Sequence, residues 1–170
     1  MGQVSLDAIF EEHALPVRRY LYRRLTNVPD PASTADDLTA DVFLIAWQKR
    51  ADIPAEEPLP WLYAVARRVL ANSRRRRVDL PVADLGELDT IDEADPGELV
   101  TEDAALAAVW GRLTPRDREV LRLSAWEGLS GESLARALGI GSGGAHAALS
   151  RARTRLGEEL AKDVKEAAAS

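Results

Sequence analysis

The stretch that decides the fold is LSGESLARALGIGSGGAHAALSRARTRL, residues 129–156. A short amphipathic segment follows Ser130 and stops at Gly139, and a longer one begins near Ser142 after the apolar Ile140. This spacing predicts a helix-turn-helix, in which the second helix enters the major groove of DNA. A plain helical hairpin inside a bundle has the same pattern, so both interpretations stay open at this point.

The second of these predicted helices begins with small residues. Four of the seven residues 138–144 are glycine, and residues 138–150 contain neither Lys nor Arg. On a helical wheel, one stripe should face the core: Ala145, Leu149, Ala152 and Leu156. The opposite side is small and its flanks are polar or basic: Gly143, Ala147, Ser150 and Thr154, flanked by His146, Arg151, Arg153 and Arg155. Such a face can touch thymine methyl groups but makes few base hydrogen bonds, and flanking arginines hold phosphates without specifying sequence.

Helical spacing also recurs in the rest of the chain, and strand patterns are nearly absent. We predict helices from about Leu6 to Leu25, from a cap at Ser33 or Thr34, and from near Pro60. The apolar face of the first is Ile9, Phe10, Val17, Leu21 and Leu25. Further helices should end close to Gly111 and run from Thr114 and Pro115 to Gly128, with Ser130 and Ser142 capping the last two. The predicted fold is all-α, with two small helical domains, residues 1–78 and 101–170.

Charge is distributed unevenly along the chain, whose net charge is −6. Residues 1–78 contain 12 basic and 10 acidic residues, and residues 112–170 contain 10 and 8. Residues 79–111 contain ten acidic residues and no basic one. Two weakly basic blocks therefore flank an acidic segment, and the net charge does not exclude nucleic acid. Because residues 79–100 lack helical periodicity and enough apolar side chains to form a core, we predict a flexible acidic linker there.

Composition excludes several classes of function. The chain has no Cys and two His, which excludes disulfides and thiolate metal sites and disfavours any other metal centre. We expect His13 and His146 on helix surfaces. No set of side chains forms a catalytic constellation, so we expect neither enzymatic activity nor a cofactor. The start of the chain lacks a signal-peptide pattern, and no apolar run approaches the ~20 residues of a membrane-spanning helix. We expect a cytoplasmic protein without membrane insertion.

Arginines are concentrated in WLYAVARRVLANSRRRR, residues 61–77. Arg67 and Arg68 are followed seven residues later by Arg74 and Arg75, and seven residues are close to two helical turns, so the pairs share a face. The run predicts a phosphate-binding stripe, although a solvated basic helix end, which the helix dipole favours, has the same composition. Trp61 is either a core anchor of this helix or an aromatic beside melted DNA.

Two blocks of sequence resemble one protein family. LTPRDREVLRLSAWEGLSGESLARALGI, residues 113–140, closely resembles the σ4 domain of the ECF (extracytoplasmic function) sigma factors of bacterial RNA polymerase. ADDLTADVFLIAWQKR and PLPWLYAVARRVLANSRRRR, residues 35–50 and 58–77, resemble the σ2 domain of the same family. The resemblance implies an alternative-sigma initiation factor whose partners are core RNA polymerase, promoter DNA and an anti-sigma factor. The alternative is a sigma-like regulator that binds polymerase or an anti-sigma factor without reading promoters.

The resemblance also implies three sets of site residues. The set for the −10 element is Trp61, Arg67, Arg68, Asn72, Arg74, Arg75 and Arg76. The set for the −35 element is Ser142, Gly143, Gly144, His146, Ala147, Ser150, Arg151 and Arg153. The set for core polymerase is Asp37, Leu38, Asp41 and Leu44. The family loop that captures a flipped −10 base corresponds to residues 50–58. The chain departs from the family at Ala40, His146 and Ala148, where Gln, Lys and Arg are common.

Overall fold

The computed structural model describes residues 5–77 and 103–170. Within these ranges the secondary structure is helical throughout, with seven α-helices, one 3-10 turn and no strand. The described residues form two compact units, one on each side of residues 78–102. The all-α prediction is confirmed. The predicted linker, residues 79–100, lies outside the described residues, as do residues 1–4, 78, 101 and 102.

The first unit is a three-helix bundle. It consists of α1 (Leu6–Tyr22), α2 (Pro31–Gln48), a 3-10 turn at Arg50–Asp52, and α3 (Pro58–Arg77). Each helix packs against the other two. The core joins aliphatic side chains to a tilted stack of Tyr20 on Tyr63, whose ring centroids are 5.1 Å apart.

The structure corrects several boundaries in this unit. The first helix ends at Tyr22 rather than Leu25, because hydrogen bonds from the Arg24 and Leu25 amides to carbonyls three residues back tighten the chain. The cap of α2 is Asp30, whose carboxylate accepts from the Ser33 amide at 3.0 Å. Neither Ser33 nor Thr34 caps it, because Pro31 already sets the first helical position. The third helix begins at Pro58.

Two predictions about side-chain exposure in α1 are wrong. His13 is buried, with 9% of its surface exposed, and does not lie on the helix surface. Phe10 is 49% exposed and packs edge-on against Phe43 of α2, with ring centroids 4.8 Å apart. The core-facing side of α1 is therefore Ile9, His13, Val17, Tyr20 and Leu21, a helical stripe that excludes Phe10 because it turns away from the bundle axis.

The second unit is built around its longest helix. It contains α4 (Ala104–Arg112), α5 (Pro115–Ala125), α6 (Gly131–Leu138) and α7 (Ser142–Ala169). The first three all pack against α7. The Thr114 hydroxyl accepts from the Asp117 amide at 3.1 Å and donates to the Asp117 carboxylate at 2.7 Å, so the predicted start of α5 is confirmed.

Helix ends in this unit depart from the predictions by a few residues. The fifth helix ends at Ala125 rather than Gly128, and Trp126 is its C-cap residue. The last helix has Gly141 as its N-cap and includes Ser142. Ser130 precedes α6 as predicted, but its side chain makes no capping hydrogen bond.

The C-terminal half of α7 is tied to α4. Arg112 donates to Glu159 at 2.7 Å and to Asp163 at 3.0 Å. Hydrogen bonds from Lys162 and then Arg112 lower the pKa of Glu159. These exposed pairs hold two helices together over the part of α7 beyond the helix-turn-helix.

Candidate functional site

The arginines of α3 do not form one uniformly exposed stripe. Arg67, Arg68, Arg74 and Arg75 are half-buried, whereas Arg76 and Arg77 at the helix end are exposed. The seven-residue spacing places the first two pairs on one side of a continuous helix, as predicted. The aliphatic stems of these side chains thus cover the bundle, and in Arg67 the guanidinium atoms Nε and Nη1 are buried as well.

Arg74 connects α3 to the end of α1. Its Nη2 donates to the backbone carbonyl oxygen of Arg24 at 2.7 Å. Arg24 is itself buried: its guanidinium lies 3.6 Å from the Tyr20 ring centroid and donates to the Tyr20 carbonyl at 3.0 Å. A guanidinium has five N–H donors, and one of those of Arg74 thus joins the end of α3 to the end of α1.

Two other members of the predicted −10 set, Trp61 and Asn72, differ in how far they are buried. Trp61 is half-buried in the first turn of α3, which is compatible with either of its two interpretations. Asn72 is buried, with 6% of its surface exposed, and lies between α3 and α2 instead of on the open arginine face. Sequence reasoning missed this because Asn72 follows Arg68 by one helical turn.

The predicted polymerase-binding residues of α2 lie on one side of the helix. Asp37, Asp41 and Leu44 are exposed, whereas Leu38 is buried. Asp36, next to them in sequence, pairs instead with Arg18 of α1, and that hydrogen bond raises the pKa of Arg18. The carboxylates of Asp37 and Asp41 are therefore exposed together with Leu44, while Asp36 joins α2 to α1 through its ion pair with Arg18.

A cleft runs between α2 and α3 next to these residues. It has a volume of about 220 Å³. We call it the α2–α3 cleft, and its lining residues are Leu38, Asp41, Leu44, Ile45, Val69, Asn72, Ser73 and Arg76. It brings together three residues of the predicted polymerase set and two of the predicted −10 set, Asn72 and Arg76.

The helix-turn-helix of the second unit has the predicted geometry. Gly139 ends α6 in the left-handed conformation, with φ 67°, which glycine adopts without steric cost. The amide of Ile140 returns to the carbonyl of Ala135 at 3.0 Å. The chain then enters α7 after a short turn.

The outer face of α7 is open at its start. Ala145, Leu149 and Ala152 are buried as predicted, Ala148 is buried as well, and Leu156 is only half-buried. Of the eight predicted −35 residues, seven are exposed and Ala147 is half-buried. A Cβ added at Gly143 would meet no atom within 4 Å, and one at Gly144 would lie 3.8 Å from Ile140 Cδ1. No steric need explains either glycine.

Arg155 is bound inside its own unit. Its Nη1 donates to Asp117 Oδ2 at 2.6 Å, and this carboxylate is buried. The sequence grouped Arg155 with the flanking phosphate contacts, but the ion pair fixes it to the start of α5. Arg151, Arg153 and Arg155 are all exposed, so the ion pair, not burial, separates Arg155 from the other two.

The core of the second unit holds charged residues that the sequence pattern did not reveal. Asp117, Glu119 and Arg122 of α5 are all buried. The Arg122 guanidinium carbon lies 5.2 Å from the Trp110 ring centroid and 4.9 Å from that of Trp126, within the range of cation–π attraction. The only feature of the sequence that could have indicated this buried arginine is the presence of two tryptophans, Trp110 and Trp126, on the neighbouring amphipathic helices.

Metal-binding clusters and membrane-spanning helices are both absent from the part of the chain that the structure describes. No group of three His, Asp or Glu side chains there is placed to hold a metal ion. No helix there is both long and apolar enough to span a bilayer.

Comparison with protein families identifies both units. Sigma-70 region 2 matches residues 9–79, and Sigma-70, region 4 matches residues 104–156. The chain is 32% identical over 158 residues to the RNA polymerase sigma-E factor of Streptomyces avermitilis, covering 89% of the chain and 84% of that protein. It is 30% identical over 172 residues to ECF RNA polymerase sigma factor SigE of Mycolicibacterium smegmatis, covering 98% of the chain and 65% of that protein.

Solved structures share the fold. A sigma factor RpoE from Bartonella quintana, in complex with the anti-sigma factor NepR, matches with a TM-score of 0.57 at 23% identity, over 91% of this chain and 95% of that one. CnrH in complex with the cytosolic domain of CnrY matches with a TM-score of 0.58 at 22% identity, over 95% of this chain and 91% of that one.

Proposed function

This chain belongs to the ECF sigma factors of the sigma-70 family, and we propose that it binds core RNA polymerase and directs it to specific promoters. The observation that carries this proposal is the presence of sigma region 2 and sigma region 4 on one chain, in that order. Each region coincides with a compact helical unit, and most of the predicted contact residues on α2 and α7 are exposed. A stand-alone repressor would leave the first unit without a purpose.

We assign the first unit to core polymerase and the −10 element. Exposed Asp37, Asp41 and Leu44 offer charge and apolar surface to a protein partner. The arginine-rich face of α3 supplies cations for the DNA backbone, and Trp61 lies at its start. Extruding a base from the −10 element costs a few kcal/mol, which binding to polymerase would offset.

We assign the second unit to the −35 element, with α7 in the major groove. Arg151 and Arg153 hold phosphates there, and the small face of Gly143 and Ala147 approaches the bases closely. Because this face carries few hydrogen-bond donors, it discriminates little by direct contacts. DNA shape and the −10 element supply the remaining selectivity.

The proposal includes the division of the chain into domains 1–78 and 101–170 with an acidic linker, residues 79–100. An acidic segment suits polymerase channels that are built to hold nucleic acid. It also includes an anti-sigma factor as partner, because RpoE and CnrH, the similar proteins of known structure, are in complexes with NepR and CnrY. Because the chain has no Cys, redox or stress sensing would fall to that partner.

A second function is favoured by the start of α7. With two glycines and no base-reading cation early in the helix, the chain would instead bind polymerase or an anti-sigma factor as a regulator without promoter reading. Both functions share core binding and differ only in promoter selection.

Run-off transcription with purified core polymerase on genomic fragments separates the two. We expect specific start sites that require this protein and disappear when Asp37 and Asp41 are both replaced by Ala. Tight core binding without any specific start would favour the regulator instead. The isolated chain should bind promoter duplex weakly at physiological salt, since its contacts are divided between two units, and a nanomolar complex without polymerase would contradict this.

A further inference from the structure

Two sets of ion pairs of opposite polarity join α7 to the corner between α4 and α5. Arg112, the last residue of α4, donates through Nε to Glu159 Oε2 at 2.7 Å and through Nη2 to Asp163 Oδ1 at 3.0 Å. Asp117, in the first turn of α5, accepts at Oδ2 from Arg155 Nη1 at 2.6 Å. The corner supplies one cation and one anion, and α7 supplies the opposite charges, so the two sets fit together in one placement of the helix.

These pairs are the contacts of α7 that are most sensitive to its rotation. The buried residues on its packed face are Ala145, Ala148, Leu149 and Ala152. Alanines form shallow ridges between packed helices, so this apolar surface distinguishes weakly between neighbouring rotations. A shift by one residue position, in contrast, turns a side chain by about 100° around the helix axis and would separate both sets of charged atoms.

The burial of Asp117 makes its ion pair the stronger of the two constraints. The Asp117 side chain is 6% exposed, whereas that of Arg155 is 50% exposed. The same carboxylate accepts the Thr114 hydroxyl at 2.7 Å, which holds it in place from its own end of the corner. Removing the cation beside a buried carboxylate is more costly than losing an exposed pair such as those of Arg112. Asp117 is therefore a fixed anchor to which Arg155 attaches α7.

The anchored residues directly follow the predicted DNA-binding segment on the same helix. Arg155 lies four residues, about one helical turn, after Arg151. Glu159 and Asp163 lie beyond residue 156, where the match to sigma region 4 ends. Because α7 is continuous from Ser142 to Ala169, a rotation that is fixed in its second half also determines which side chains of its first half can meet DNA.

We propose that Arg112 and Asp117 are positioning residues for the −35 element, which set the rotation of α7 through Arg155, Glu159 and Asp163. This inference rests on the proposed function and adds to it a set of residues that act without touching DNA. The rotation determines which face of α7 enters the major groove. An anion, Asp117, thus supports the binding of a polyanion by orienting the helix that contacts it.

The test uses polymerase reconstituted with the full-length chain and two duplexes of a promoter found by run-off transcription. One duplex extends through the −35 element and the other is truncated before it, so the ratio of the two affinities measures the −35 contribution. Asp117→Asn should lower this ratio about three- to tenfold, the scale of one misplaced contact to the duplex. Direct electrostatics predicts the opposite sign, because removing an anion near DNA strengthens binding. Arg155→Ala should lower the ratio by a similar factor, and Arg155→Lys, which retains the cation, should preserve most of it.

Two matched controls separate positioning from charge and from stability. Glu158→Gln removes an acid at an exposed position of α7 next to Glu159 and should not lower the ratio. Val120→Ala removes volume from a buried position of α5 and should keep the wild-type ratio at a temperature where thermal unfolding shows it folded. If Asp117→Asn does not fold, the double variant Glu159→Gln, Asp163→Asn replaces it, and it should lower the ratio by a smaller factor because those pairs are more exposed.

The rotation of α7 can also be measured in the free chain, without polymerase or DNA. The chain has no Cys, so cysteines introduced at exposed Ala125 of α5 and Ala161 of α7 can be labelled specifically with nitroxides. Pulsed electron paramagnetic resonance then gives the distance distribution between the two labels. Asp117→Asn should shift or broaden this distribution, whereas Glu158→Gln should leave it unchanged.

The remaining outcomes overturn the assignment. An unchanged or larger affinity ratio in Asp117→Asn, or an unchanged label distance, refutes the positioning role. An equal loss in Val120→Ala at equal stability shows that Asp117 acts only through folding. A loss in Arg155→Ala without one in Asp117→Asn assigns Arg155 to a phosphate. If truncation before the −35 element costs the wild-type polymerase no affinity, the proposed function of the second unit fails, and the positioning role fails with it whatever the label distances show.

Discussion

Helices α3 and α7 are both proposed to meet promoter DNA, yet they are built in opposite ways. The third helix buries large side chains such as Leu62, Tyr63 and Leu70 and holds its arginines half-buried against the bundle. The seventh attaches through three alanines and one leucine and exposes glycines at its start. The third helix carries large side chains and many positive charges. The start of α7, where bases would lie, carries small side chains and almost no charge.

This difference indicates how promoter selectivity and positioning on DNA are divided between the two units. Arginines supported by a packed bundle keep a defined orientation, and the hydrogen bond from Arg74 to the Arg24 carbonyl oxygen fixes it further. A face of glycine and alanine has no such groups to orient. Because arginine contacts to phosphates position DNA without specifying its sequence, we propose that selectivity in the first unit comes from the extruded −10 base, while the second unit positions the polymerase on the duplex.

The largest effect comes from removing core volume beneath α3. Leu62 is fully buried, so Leu62→Ala should lower the free energy of unfolding of the first unit by about 2–5 kcal/mol. Hydrogen exchange over residues 6–77 measures this. Leu15→Ala, at an exposed position of α1, is the control and should change stability by no more than ~0.5 kcal/mol.

Because α7 packs mainly through small side chains, replacing a small buried residue by a larger one should be harmful in the second unit. Ala152 is fully buried against its neighbours, so Ala152→Leu should overpack the interface and destabilise this unit by about 1–3 kcal/mol. Ala161→Leu, exposed on the same helix, adds the same atoms and should be neutral. Equal stability of the two variants in hydrogen exchange would show that α7 packs less closely than described.

Glycine substitutions sharpen the comparison because they act on the helix alone. Gly143→Ala and Gly144→Ala should each stabilise α7 by up to about 1 kcal/mol, the value for a helix interior, since helix propensity improves and no steric clash arises. Gly139→Ala should destabilise the unit because its φ of 67° disfavours a side chain. Thermal unfolding of the three variants gives the order, and a loss of stability at Gly143 would mean that this glycine has a structural role.

Local chemistry allowed much of the fold to be predicted. The Thr114, Pro115 and Asp117 pattern located the start of α5, and Gly139 located the end of α6, because each depends on neighbouring residues only. The three helices of the first unit followed from apolar spacing in the same way. Their ends were less accurate where a competing cap existed, as at Asp30.

Contacts between distant residues could not be predicted. The pairing of Arg155 with Asp117, the hydrogen bond from Arg74 to Arg24 and the burial of His13 all depend on which helices meet in space. The same holds for the α2–α3 cleft, whose walls are about thirty residues apart in the chain. A polar side chain looks alike in sequence whether it faces DNA, another helix or a protein partner.

A smaller effect is expected from the exposed arginine on the flank of α7. Arg151→Ala should weaken promoter binding of the reconstituted polymerase across all sequences and reduce the salt-dependence slope by about 0.9, the value for one phosphate contact. Filter binding at several salt concentrations measures both. A change in preference at a single base pair would assign Arg151 to base reading.

The central claim, that selectivity lies mainly in the first unit, is tested most directly by transcription from a randomised promoter library. Polymerase reconstituted with this chain would transcribe templates randomised at both the −10 and −35 elements, and sequencing of the products gives the information content of each element. We expect clear preferences at the −10 element and weak ones at the −35 element. A −35 element as constrained as the −10 element, or more so, would contradict the claim and show that the small face of α7 reads DNA.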